Sequence, residues 1–238
     1  MLIPSIDLMG GKIVQLVQGK KKALEFTDFE PWIALFSNYP LVQLIDLDAA
    51  IGSGNNRALL SHFADRLPCQ VGGGIRRMED ATEILARGAK RIILGSVLVK
   101  QGQIDCETAA QFANEVSPEQ LTFAVDSKNG KVAIKGWHSL TDISPAEMMQ
   151  ALEPCCTSFL YTHIDTEGLL QGIPIETVRS LRAVTARQLI VAGGICSQEE
   201  VDRLHDLGID AVVGMAIYTG QMRLERALSG ERHQLRGR

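Results

Sequence analysis

The same short motifs occur twice in this chain, about half its length apart. Ile3-Pro4-Ser5-Ile6-Asp7 is answered 119 residues later by Phe123-Ala124-Val125-Asp126. Gly11-Lys12-Ile13-Val14 returns as Gly130-Lys131-Val132-Ala133, again 119 residues on. Gln70-Val71-Gly72-Gly73-Gly74-Ile75 returns as Ile190-Val191-Ala192-Gly193-Gly194-Ile195, and Ile92-Ile93-Leu94-Gly95 as Ala211-Val212-Val213-Gly214. Matches at one offset restrict the fold to architectures assembled from two similar halves. What recurs is an aspartate closing an apolar run and glycine turns following apolar runs. That is a duplicated acid and a duplicated anion cradle.

The 238 residues would suit one barrel or two small domains, and 45% hydrophobic residues suffice for a large core. Candidate strands are Leu2–Ile6, Leu41–Ile45, Cys69–Val71, Arg91–Leu94, Leu121–Val125, Ser158–Thr162, Gln188–Val191 and Ala211–Val213. Most are continuous apolar runs, as parallel strands covered on both faces require. Helical patterns lie between them. Ser144-Pro145-Ala146-Glu147 and Ser197-Gln198-Glu199-Glu200 read as capping boxes. Pro31–Ser37, Arg57–Asp65, Met78–Arg87, Ile104–Glu115, Ile175–Ala183 and Met222–Leu228 complete the set. Eight strand–helix units predict a single α/β domain, a (β/α)8 TIM barrel over 1–238. Its half-barrels are approximately 1–119 and 120–230, with 231–238 a disordered tail. An open doubly wound sheet is the rival, but no Gly-x-Gly-x-x-Gly or Walker-type glycine–lysine loop supports it.

The net charge of −4 argues against a general nucleic-acid or membrane-surface role. No apolar run reaches membrane-spanning length. Five cysteines without metal-like spacing suggest reduced thiols in a cytoplasmic protein, with Cys155-Cys156 as small buried residues.

Barrel active sites lie at the C-terminal ends of the strands. Asp7 and Asp126 end the first and fifth strands, which face each other across a ring of eight. Two opposed carboxylates suit acid–base work on one substrate held between them. Gly73-Gly74 and Gly193-Gly194 follow the third and seventh strands, and Gly95-Ser96 and Gly214 the fourth and eighth. Glycine turns let backbone N–H groups converge on phosphate oxygens, so two such places predict a substrate phosphorylated at both ends. Arg76 could clamp a phosphate and Trp137 stack on a planar ring. Thr162 ends the sixth strand, and His163 is the one histidine placed near the mouth; His62, His138, His205 and His233 look like surface positions. The long segment Val17–Glu30 reads as a loop able to fold over the substrate. No metal-ligand cluster is visible, so chemistry without metal or cofactor is expected.

Together, Ile3–Leu8 with Gly11-Lys12, Leu44–Ala49, Gln70–Arg76, Asp126 with Gly130–Val132, Gly136-Trp137, Thr162–Gly168, Ala192–Ile195 and Gly214–Gly220 resemble a known family across essentially the whole chain. It is the phosphoribosylformimino-aminoimidazole carboxamide ribotide isomerase family of histidine biosynthesis. The resemblance implies a cofactor-free Amadori rearrangement of an aminoaldose to an aminoketose on a bisphosphorylated ribotide. It matches Asp7 to the base taking the ribose C2′ proton and Asp126 to the acid opening the furanose ring. Thr162 matches the threonine supporting the acid, and Trp137 the residue stacking on substrate. Gly168 falls in the substrate-binding loop. The residues themselves leave the acid and base roles exchangeable. The expected protein is a cytoplasmic monomer acting on a small-molecule ribotide, without nucleic acid or membrane.

Four positions depart from the family pattern. Gln15 stands where arginine is usual, His163 replaces an aspartate, Glu167 lengthens an aspartate, and Met215 replaces a common basic residue. Three alternatives follow. One is a bifunctional isomerase that also turns over phosphoribosylanthranilate for tryptophan synthesis. Another is the paralogous imidazole glycerol phosphate synthase cyclase, disfavoured by Ser5-Ile6-Asp7-Leu8 in place of a cysteine before Leu-Asp-Val. The third is a non-catalytic phosphate-ligand binding barrel.

Overall fold

The computed structural model describes residues 1–224. Eight parallel strands form a closed ring: β1 Leu2–Met9, β2 Val42–Asp46, β3 Cys69–Gly72, β4 Arg91–Leu94, β5 Leu121–Lys128, β6 Ser158–His163, β7 Gln188–Ala192 and β8 Ile209–Val213. Each pairs with its neighbour; β4 with β5 joins the two halves, and β8 with β1 closes the ring. The predicted barrel and all eight predicted strands are present. The outer layer holds α1 Glu30–Phe36, α2 Arg57–Ala64, α3 Met78–Ala86, α4 Cys106–Glu115, α5 Pro145–Leu152, α6 Ile175–Arg182 and α7 Gln198–Asp206. A short helix, Met215–Tyr218, follows β8. The expected helix Met222–Leu228 is not helical over 222–224 and otherwise lies outside the described residues, as do His233 and the tail 231–238. Among the described residues, no helix is long and apolar enough to cross a membrane.

Alternating side chains divide the strands between two cores. Ile3, Leu41, Ile93, Ala124, Leu160, Ile190 and Val212 fill the barrel interior. Ile6, Leu44, Val71, Ile92, Phe123, Phe159, Leu189 and Ala211 point outward beneath the helices. Two covered faces explain why the strands read as continuous apolar runs. Polar side chains on the barrel strands meet across neighbouring strands, although the buried Gln70 Oε1 has no partner. Gln70 donates to Gln43 at 3.0 Å, the Thr122 and Ser158 hydroxyls meet at 2.7 Å, and Arg91 reaches Gln188 at 2.8 Å.

The Ser144 box closes fully, the Ser144 N–H donating to Glu147 at 2.7 Å and the Glu147 N–H returning to the Ser144 hydroxyl. The second predicted box is only half formed. Ser197 caps the Glu200 N–H, but the buried Glu200 carboxylate accepts instead from the N–H groups of Cys196 and Ile173. Cys156 is buried as expected, whereas Cys155 is only partly covered.

The first long loop is a second correction. Lys12–Val17 and Lys21–Phe26 form an antiparallel hairpin that continues the end of β1. Lys20 sits in its turn and Lys21 and Lys22 on its exposed outer strand, and Lys12 and Lys22 both pair with Glu25. Phe26 anchors its base between Trp32 and Tyr218, at centroid distances of 5.0 and 5.4 Å. In the second half Lys131–Ile134 pairs with the end of β5 in the same way. The repeated Gly-Lys motif therefore starts a reversing strand in each half.

Candidate active site

One cavity opens at the C-terminal ends of the strands. Asp7, Asp126, Thr162, Gly73, Gly74, Arg76, Gly95, Ser96, Trp137, Gly168, Gly193, Gly194 and Gly214 all line it. The structure thus brings every residue singled out for the site onto one surface. His163 is the exception among the lesser candidates. It does not line the cavity, and its Nδ1 lies 3.0 Å from the Tyr161 hydroxyl on the outward side of β6.

Parallel register places the acids. Asp7 on β1 is opposite Ile45 on β2, and Asp126 on β5 is opposite Thr162 on β6. The Ser5 hydroxyl donates to Asp7 at 3.1 Å. Tyr218 holds the same segment by donating to the Ser5 carbonyl at 3.0 Å. Burial raises Asp7 to about 6 against this hydrogen bond. Asp126 is also raised by burial, opposed by donors from Trp137 and Thr162. The Trp137 indole N–H reaches it at 2.8 Å.

A third carboxylate completes the group. Glu167 lines the cavity and is pushed up to about 8, first by burial and then by the charges of Asp7 and Asp126. Sequence reasoning noted its length but left it out of the site. The available signal was its isolation: no lysine or arginine occurs between Lys135 and Arg179. Near neutral pH this is a protonated acid beside Asp7, a carboxylate of lower pKa, the division acid–base catalysis uses.

The glycine turns are sterically obligatory. A Cβ on Gly73 would lie 2.2 Å from the Asp46 carbonyl, and one on Gly193 2.4 Å from the His163 carbonyl. Their φ angles, +99° and +109°, are in the region that favours glycine. Gly95 and Gly214 share a further conformation, with φ −125° and −113° and ψ −94° in both. The two halves therefore carry matching pairs of turns on opposite sides of the mouth. Charge breaks the match. Arg76, donating to the Ala50 carbonyl at 3.0 Å, is the sole lysine or arginine among the lining residues and stands at the first pair. Near the second pair are Met215 and the buried Gln15, whose amide donates to the Val14 carbonyl at 2.9 Å.

A closed parallel barrel carrying three carboxylates and two pairs of glycine turns at its C-terminal mouth has the architecture of a (β/α)8-barrel enzyme. Comparison with known proteins narrows this. The chain belongs to the family described as "Histidine biosynthesis protein", whose sequence model matches residues 1–223. A relative from Methanocaldococcus jannaschii is 36% identical over 234 residues, covering 95% of this chain and 97% of its own. One from Thermus thermophilus is 37% identical over 234 residues, with the same coverage. Both are named 1-(5-phosphoribosyl)-5-((5-phosphoribosylamino)methylideneamino) imidazole-4-carboxamide isomerase.

Proposed function

We propose that this chain isomerises the bis-phosphoribosyl compound in its relatives' names, by an aldose–ketose (Amadori) rearrangement. The observation that carries the reading is the cavity itself, with carboxylates on opposite strands between two matching glycine turns. The turns would grip the terminal phosphates, Gly73, Gly74, Arg76, Gly95 and Ser96 at one end and Gly193, Gly194 and Gly214 at the other. The aminated ribose would then lie between the acids, with Trp137 and Gly168 against it.

The reaction needs one acid and one base. An acid protonates the furanose ring oxygen as its bond to C1′ breaks, giving the open-chain imine. A base removes the C2′ proton to form the enolamine, and protonation at C1′ with loss of the 2′-hydroxyl proton to the base gives the aminoketose. We assign the base to Asp7, which is ionised above about 6. Burial raises Asp126 against its two donors, and Glu167 keeps its proton to about 8. Glu167 is therefore the proton store on the acid side, with Asp126 and Thr162 orienting the ring oxygen. No cofactor enters these steps, and the reading includes a monomeric cytoplasmic protein.

The test is turnover of the purified aminoaldose ribotide by the parent protein and by Asp7→Asn. Conversion by the parent, with a loss on the order of 10³-fold in the variant, supports the reading. No conversion, or full activity in Asp7→Asn, overturns it.

A further inference from the structure

Ser96 stands in the first glycine grip, yet its hydroxyl is already engaged. It accepts the backbone N–H of Lys135 at 2.7 Å, across the β4–β5 junction of the two halves. Lys135 opens a strained run in which Lys135, Gly136 and Trp137 have φ of +56°, +60° and +67°. Two of these three are not glycine, so the conformation is costly and must be held from outside. Four contacts hold it. Besides Ser96, Gly136 packs so closely on Ile51 that a Cβ would lie 2.6 Å from it. The Trp137 ring lies against Gly19 at the hairpin tip, and its N–H ends on Asp126 at 2.8 Å. One chain of contacts thus runs from the grip to the carboxylate.

We infer that Ser96 is a positioning residue for Asp126, fixing the Lys135–Trp137 turn so that the first phosphate grip and the catalytic carboxylate act as one unit. The Ser96 oxygen accepts from Lys135 while its own O–H remains available as a donor to a phosphate oxygen. A phosphate held there would stiffen the turn that sets the indole on Asp126. This inference rests on the isomerase reading for its kinetic consequence, but the linkage itself is a property of the ligand-free protein.

The chain has two tryptophans, so Trp32→Phe leaves Trp137 as the sole emitter. In that background Ser96→Ala should shift the emission of ligand-free protein to the red, as the indole leaves its packed place. Ser96→Thr should restore it. With substrate, Ser96→Ala should lower kcat on the order of tenfold as well as raise KM. A serine that merely touches phosphate would raise KM alone and leave ligand-free emission unchanged; that outcome overturns the inference. Amide hydrogen exchange on the unmodified protein is an arm without mutation. Protection of the Lys135 N–H supports the link, and exchange as fast as in a free loop refutes it. Were the parent protein inactive on the ribotide, the functional reading would fall while emission and exchange still decided the link.

Discussion

Glu167 shows how far burial and two neighbouring carboxylates can shift one carboxyl group. Its carboxyl sits within the field of Asp7 and Asp126, and burial plus their charges push it to about 8. With Asp7 at about 6, kcat/KM should be bell-shaped, rising through about 6 as the base ionises and falling through about 8 as the acid loses its proton. Glu167→Gln should lose the high-pH limb and lower kcat by roughly 10²-fold or more. A pH–rate profile of parent and variant checks both, and an unchanged basic limb would remove Glu167 from the acid role. The same shift has a stability sign. The folded-state value lies above the ordinary 4.5, so ionisation opposes folding. The penalty is absent below about 4.5, grows as pH rises and is complete above about 8. Glu167→Gln should therefore melt close to the parent at about pH 4 and above it at about pH 8.5, as scanning calorimetry would show.

At the level of elements, the hairpin after β1 is the part that sequence patterning missed. Eight buried strands were legible because parallel strands covered on both faces must be apolar throughout, as Ile190–Val191 and Ala211–Val213 are. The glycine turns were legible because their backbone excludes a Cβ. The hairpin was hidden by its own exposure: Lys20–Lys22 looked like a loop because no core face disciplines that strand. The Lys135–Trp137 turn was hidden for the opposite reason. Its positive φ values fall on lysine and tryptophan, and contacts distant in sequence impose them. Hairpin and turn meet at Gly19, where a Cβ would lie 2.6 Å from the Trp137 ring; Gly10, at φ +58°, has nothing within 4 Å. Gly10→Ala and Gly19→Ala should each cost about 1 kcal/mol through left-handed strain. Only Gly19→Ala should also displace Trp137 and lower kcat. Urea denaturation gives the first quantity and steady-state kinetics the second; equal kinetic damage from both would detach the hairpin tip from the site.

Across the whole molecule, duplication supplies two matching pairs of glycine turns, the proposed phosphate grips, and divergence makes them unequal. Each half contributes an acid strand, a reversing strand begun by Gly-Lys and a pair of turns with matching backbone angles. The latches match too: the Gly10 N–H donates to Asp48 at 2.7 Å and the Asn129 N–H to Asp165 at 2.8 Å. Among the described residues only the first pair of turns has a cation, Arg76, while the second has Met215 and the neutral Gln15 beside it. Backbone donors alone hold a phosphate less tightly than donors with a guanidinium among them. Inorganic phosphate should therefore bind in two classes. Arg76→Gln should weaken the tighter class by roughly ten- to a hundredfold, because a hydrogen bond to a charged group contributes about 1.5–3 kcal/mol. The weaker class should keep its affinity, since its residues lie across the barrel from Arg76. Isothermal titration of parent and variant resolves the two, and a single class indifferent to Arg76 would contradict the unequal grips. A substrate with a phosphate at each end gains from both at once, the second contact forming at the effective concentration set by the ribotide between them. Its affinity should therefore exceed that of either phosphate alone even though the second grip lacks a charge.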